Sequence, residues 1–342
     1  MSFRRPVRLV SLMLAASLAA ACSGSQASPT PATTPLVVGL GFIPSVQFAP
    51  FYLAQQKGYY TQAGLQVTFQ SKIDPDLITL VGQGSVDVGL ADGTSVIPAV
   101  SQGIPIRYVA TVYRAFPSIV FAKSSSGIAS AADLKGRKLG IPGRYGSSWI
   151  MLQALLQSAG LSPSDLTITE FPDFGQGAAV QQGAVDAATG FVNNEPVQLA
   201  QSGQKTTVLH VDQIVPLPGP GLIAGTKALA SDPKRAAIGK FVEATLHAMR
   251  DIAADPDAGL TASIAAVPEL GQSRDAQKAI LAATIAAWKG SGTAADFGAI
   301  DAAAWTKSID FMSKLKDETT KQPLVSRPVT AGDVIDDQFV RR

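Results

Sequence analysis

Two groups of residues in this chain have the types and spacing to recognise a small molecule without changing it. The first is Gly143-Arg144-Tyr145-Gly146-Ser147-Ser148-Trp149, set between a short apolar run and a helical stretch. Glycines let a backbone approach a ligand closely, and free N–H groups at a helix start donate to its oxygens. Ser147 and Ser148 read either as ligand contacts or as the cap of that helix. No Gly-Lys-Ser/Thr follows, so this is not a nucleotide phosphate loop. The second group is aromatic. Only 7% of the residues are Phe, Trp or Tyr, yet Phe42, Phe48, Tyr52, Tyr113, Tyr145, Trp149, Phe174 and Phe191 lie in or beside loops that follow predicted strands. Such rings can stack a flat heteroaromatic ligand. Core packing is the competing reading, strongest for Phe42 and Phe191. If Trp149 is a stacking wall facing Tyr113, its removal weakens binding and leaves thermal stability near normal.

Polar groups sit in the same loops. Asp92 and Thr94 stand at one predicted helix start, and Asn193, Asn194 and Glu195 at another. They suit the N–H and C=O edges of a ring. Glu195 reads equally as a helix-start carboxylate before Pro196, favoured by the helix dipole. Arg144 faces either an anionic group or solvent. Catalytic chemistry finds no support. The two histidines, His210 and His247, lie outside these loops, and no nucleophile–base pair or metal-ligand spacing is present. No catalytic residue, metal or cofactor is expected.

Cys22 is the single cysteine, which excludes disulfides, thiolate catalysis and cysteine-based metal sites. It follows Arg4, Arg5 and Arg8, then the apolar run Leu9–Ala21. A positive start, a short hydrophobic stretch and small residues before a cleavage point describe an export signal over residues 1–21. That run is 13 residues, too short to span a bilayer as a helix. Leu18-Ala19-Ala20-Ala21-Cys22 is similar to a bacterial lipoprotein box, although Ala19 stands where such boxes usually carry Leu. The implied product is acylated on Cys22. Residues 22–35 are small, polar and Pro-interrupted, the composition of a tether. The expected location is the extracytoplasmic face of a cell membrane, held by lipid.

These loops need elements to position them. Hydrophobic residues make up 46% of the chain and charged ones 16%, enough apolar content for a sizeable core. The formal charge is +2, with no Lys/Arg run to suggest nucleic acid. Apolar runs and helical periods alternate from Leu36 to Tyr113, then again from about Ile128 to Val211. Asp74 and Pro75 suit the start of one helix. This rhythm predicts an α/β fold with two units, each a largely parallel sheet. Beyond Leu222–Thr226 the chain reads as helical, with amphipathic stretches at Asp232–Ala254 and Asp275–Lys289. Trp305, Ile309, Met312 and Leu315 fall on one stripe of a last helix. The segment carrying Pro323 and Pro328 reads as irregular.

Four blocks in order carry a family resemblance. They are FAPFYLAQQKGYYTQAGLQVTFQ (Phe48–Gln70), LITLVGQGSVDVGLADG (Leu77–Gly93), AADLKGRKLGIPG (Ala131–Gly143) and GAVDAATGFVNNEP (Gly183–Pro196). The chain resembles solute-binding proteins of ABC importers, in the branch of binders of thiamine's pyrimidine precursor and of sulfonates. The resemblance implies a two-lobe periplasmic-binding-protein fold, type II-like, with the ligand in the cleft. Lobe one would be 36–114 plus 222–342, lobe two 127–215, with hinge crossovers at 115–126 and 216–221. It implies a permease and an ATPase as partners. Riboflavin is the first choice of ligand, a thiamine-related aminopyrimidine the second and a sulfonate the third. The fold also resembles a pyrimidine synthase that uses a histidine and a cysteine cluster, which this chain lacks.

Overall fold

The computed structural model describes residues 33–73, 76–212, 214–317 and 320–340. The expected leader, the tether up to residue 32, Cys22 and the Asp74-Pro75 helix start lie outside the described residues. Each α/β unit becomes one five-stranded sheet. The strands are β1 (Thr34–Leu40), β2 (Leu65–Ser71), β3 (Val88–Ala91), β4 (Ile106–Thr111), β5 (Ser118–Lys123), β6 (Lys138–Ile141), β7 (Thr167–Glu170), β8 (Ala187–Phe191), β9 (Thr206–His210) and β10 (Gly221–Gly225). The first sheet has the order β2-β1-β3-β10-β4 and the second β7-β6-β8-β5-β9. One topology is therefore used twice.

Both sheets are mixed, which corrects the expectation of a largely parallel pairing. β1 is parallel to β2 and β3, and β6 to β7 and β8. However, β10 is antiparallel to β3 and β4, and β5 to β8 and β9. The reversed strand is in each case the one through which the chain enters from the other sheet. A parallel neighbour needs a helical crossover on the same sheet; a strand arriving from elsewhere does not, and here it inserts head to tail. β5 also lies inside the segment 115–126 expected as a crossover. The chain leaves the first sheet at Thr111 and joins the second at Ser118, then leaves it at His210 and returns at Gly221.

Burial explains the strand sequences. β3 (VGLA) and β10 (GLIAG) are buried along their whole length, as central strands covered on both faces must be. Helix Asp232–Ala254 buries Ile238, Phe241, Val242, Thr245, Met249 and Ile252, a three-to-four residue spacing that puts one face on the first sheet's core. There Tyr60 stacks on Phe241 with ring centres 5.1 Å apart, and Phe51 lies 6.3 Å from Phe241. Each such ring, fully buried, contributes about 2–3 kcal/mol of transfer free energy. The Tyr60 hydroxyl is satisfied by that of Thr245 at 2.9 Å. The helix stops before Asp255, whose carboxylate accepts from the Ala258 N–H and opens a separate helix, Pro256–Ala266.

Trp305, Ile309, Met312 and Leu315 are buried as the stripe predicts. The segment carrying Pro323 and Pro328 is irregular, as expected, and is tied to the first sheet's side by hydrogen bonds. Ser326 bonds to Ser101 through its N–H (3.0 Å) and its hydroxyl (2.8 Å). Ile335 bridges Tyr108 of β4, and a short helix covers Ala331–Val334. Among the described residues, no helix is long and apolar enough to cross a membrane.

Candidate functional site

In an open α/β sheet, the loops on either side of the first strand diverge at the strands' carboxyl ends and leave a crevice. Both sheets have this arrangement, around β1 and around β6. The crevices meet in one cavity. Gly41 and Phe42 follow β1, Ile73 follows β2, and Asp92 follows β3; opposite them stand Pro142 after β6, Phe174 after β7, and Phe191, Asn194 and Glu195 at the end of β8. About 910 Å³ of space lies between these walls, counting the open mouth.

Six rings line it: Phe42, Phe48 and Tyr113 from the first sheet's side, and Tyr145, Phe174 and Phe191 from the second's. Two pairs join the sides. Phe42 meets Phe174 edge to face at 4.7 Å and 78°, and Tyr113 meets Phe191 at 6.4 Å and 69°. Phe174 holds φ +60°, a left-handed backbone that is unusual for an aromatic residue. Tyr145 sits at the mouth, 36% exposed.

The polar groups are arranged around the rings. Helix Gly146–Ser158 starts at the cavity, and Gly146 takes φ +61° to turn the chain into it. Asp92 is half-buried against this helix start. Burial pushes its carboxyl pKa up, against hydrogen bonds from the Ser147 hydroxyl and N–H. Glu195 is buried. Desolvation raises its pKa to about 7, opposed by the N–H groups of Phe191 and of Glu195 itself and by the Asn194 side chain. The Phe191 N–H donates to Glu195 Oε2 at 2.8 Å. Gly190 makes room for this carboxylate, since a Cβ there would lie 2.5 Å from Oε2.

Eleven expected residues line the cavity: Phe42, Phe48, Asp92, Tyr113, Tyr145, Ser147, Ser148, Phe174, Phe191, Asn194 and Glu195. Four do not. Trp149 lies in the interior that the helix Gly146–Ser158 shares with Trp305 and Met312, while Tyr113 belongs to the first sheet's core. The two rings therefore do not face each other across the gap. The helix turns about 100° per residue, so Trp149 points away from the side that Ser147 and Ser148 present. Its Nε1–H donates to Asp317 at 2.9 Å. Tyr52 packs on the first core one turn beyond Phe48, where burial raises its pKa to about 12 against a hydrogen bond with the Ser45 backbone. Thr94 is fully buried in the helix Gly93–Ser101. Asn193 lies behind the wall, donating to Gln47 Oε1 at 2.9 Å and to Thr284 Oγ1 at 2.8 Å. Arg144 pairs with Glu170 at 3.1 Å and sits 5.1 Å over the Trp149 ring.

Sequence reasoning missed Gln47 and Gln176, both of which line the cavity. Gln176 opens the helix after β7, the same strand-to-helix position that singled out Ser147 after β6. Glycine turns drew attention there, and the amide beside them did not. His210 lies beside Asp212 and His247 stacks on Tyr59, both away from the cavity lining. Among the described residues, no group of three or more His, Cys, Asp or Glu could hold a metal.

Comparison with known proteins agrees with this geometry. The family profile described as NMT1/THI5 like matches residues 45–259. The chain belongs to the NMT1/THI5-like family. The riboflavin-binding protein RibY of Chloroflexus aurantiacus is 33% identical over 97% of this chain and 95% of its own length. A 4-amino-5-hydroxymethyl-2-methylpyrimidine phosphate synthase of Aspergillus parasiticus is 27% identical over a shorter stretch, 65% of this chain and 68% of the synthase. The relative matching nearly end to end is thus a binding protein, in keeping with the reading of a non-enzyme. Among solved structures, the alkanesulfonate-binding protein SsuA of Xanthomonas axonopodis pv. citri bound to MOPS superposes with a TM-score of 0.67 at 20% identity, over 91% of this chain and 100% of that one. That likeness is one of fold: this NMT1/THI5-like chain has the α/β architecture of periplasmic binding proteins.

Proposed function

We propose that this protein is the extracytoplasmic solute-binding component of an ABC importer and that it carries riboflavin. The observation that carries the reading is the cavity lined by rings from both sheets, with polar groups among them. An isoalloxazine ring can stack on such side chains, and its ribityl hydroxyls suit Ser147, Ser148 and Asn194. The similarity to a riboflavin-binding relative over nearly the whole chain supports the same ligand. The lobes close on it by bending where the chain crosses between sheets, before β5 and before β10. A permease and an ATPase receive the loaded protein.

An aminopyrimidine is the second reading. Two carboxyls with raised pKa in the cavity wall, Asp92 and Glu195, suit amino and ring-nitrogen groups. A sulfonate is disfavoured, because those acids line the cavity and no Lys or Arg does among the described residues. Titrating the protein into riboflavin decides between them. Flavin fluorescence is expected to be quenched at micromolar protein. An unchanged emission, together with a melting temperature raised by the aminopyrimidine, would replace riboflavin by the second ligand.

Acylation of Cys22 holds the protein at the membrane. On this reading the wild type sediments with membranes and is released by detergent, whereas Cys22→Ser is recovered in the soluble fraction. A soluble wild type removes the anchor.

A further inference from the structure

Gln176 is a buried residue that the cavity wall includes and that the reading above does not use. Its Nε2 lies 3.4 Å from the Thr189 carbonyl oxygen and 3.4 Å from Glu195 Oε1. A carbonyl can only accept, so the nitrogen end of the amide belongs on that side. The oxygen end is then left over. Gln176 Oε1 is buried and has no hydrogen-bond partner among the described residues. Buried acceptors in native proteins are nearly always satisfied, and leaving one unpaired costs stability.

The surroundings hold this amide in place. Glu195 is itself fixed by the Phe191 N–H at 2.8 Å, in a space that exists only because residue 190 has no side chain. Gly177 allows the stem of Glu195 to lie close, since a Cβ there would be 3.2 Å from Glu195 Cγ. Gln176 is thus a preset acceptor beside Phe174 and Phe191.

We propose that Gln176 determines specificity: its side-chain oxygen accepts a hydrogen bond from an N–H on the edge of the planar ring bound in the cavity, and Glu195 is the positioning residue that orients the amide. This rests on the reading of a flat, N–H-bearing ligand. In riboflavin the donor is the ring imide N–H; in the aminopyrimidine it is the exocyclic amine.

The test uses riboflavin and its N3-methyl derivative, which lacks that imide N–H. The wild type is expected to prefer riboflavin by about 10–100-fold, the range of one well-placed buried hydrogen bond. Gln176→Met keeps the length and removes the acceptor. It should bind riboflavin about 10–100-fold more weakly and lose the preference between the two flavins. Gln176→Asn, which withdraws the amide by one methylene, should lose the preference too and serves if the first variant fails to fold. A folded variant that keeps the wild-type preference overturns the inference and leaves the riboflavin reading standing. So does a wild type that binds both flavins alike. If the wild type binds neither flavin, riboflavin falls, and 4-amino-5-hydroxymethyl-2-methylpyrimidine titrated calorimetrically onto wild type and Gln176→Met takes its place. Equal affinities there, or no binding to either protein, overturn the assignment of Gln176.

Discussion

Trp149→Ala is expected to lower the free energy of unfolding by about 3–5 kcal/mol, the range for truncating a large core aromatic. The ring is 2% exposed and packed in the interior shared with Trp305 and Met312. Its Nε1–H is bonded to Asp317, so truncation also removes a tie between the helix Gly146–Ser158 and the C-terminal segment. Arg144 over the ring adds little, because its side chain is 39% exposed and already pairs with Glu170. Trp149→Phe loses the hydrogen bond and part of the ring volume, and should cost less than the alanine variant, about 1–3 kcal/mol. Urea unfolding measures both. Flavin affinity, determined well below the melting transition, should change by less than about threefold, since Trp149 is not in the cavity wall. A variant of near-normal stability with lost affinity would return Trp149 to the cleft and overturn this placement.

Phe174→Ala is expected to weaken ligand binding by about 10–100-fold, and Phe42→Ala by a similar factor, because each ring supplies one side of the edge-to-face contact that joins the two walls. Phe174 adds a backbone effect. At φ +60° an L-residue carries roughly 1–2 kcal/mol of steric cost that glycine does not. Phe174→Gly should therefore be more stable than Phe174→Ala by about 1 kcal/mol, although it has even less side chain, while both bind equally weakly. Thermal unfolding of the two free proteins together with titrations reads this. If the alanine variant keeps wild-type affinity, the contact does not belong to the ligand site. If glycine is the less stable of the two, the left-handed loop is not the source of strain.

The loop around Phe174 also shows why part of the site could be read early. A strand-to-helix turn is a local event, written in a short apolar run, a glycine and the first polar residue of an amphipathic stretch. That is how Ser147, Phe174, Asn194 and Glu195 became candidates, and the repeated topology brings their loops to one cavity. Facing direction within the first helical turn is different. Ser148 and Trp149 are neighbours in sequence and point to different environments, because one residue of helix is a large rotation. Gln47 and Asn193 meet at 2.9 Å across 146 residues, a pairing that no local pattern encodes.

The chain alone determined the α/β class, the doubling of the unit, the positions of most strands and helices, and the loops from which a binding site would be built. Those follow from apolar periodicity and turn residues, which act over a few positions. Tertiary structure decided the reversed strands β5 and β10, the burial of Trp149 and the unpaired oxygen of Gln176. Each of these depends on which distant segment fills the space beside it, and only the packed chain specifies that.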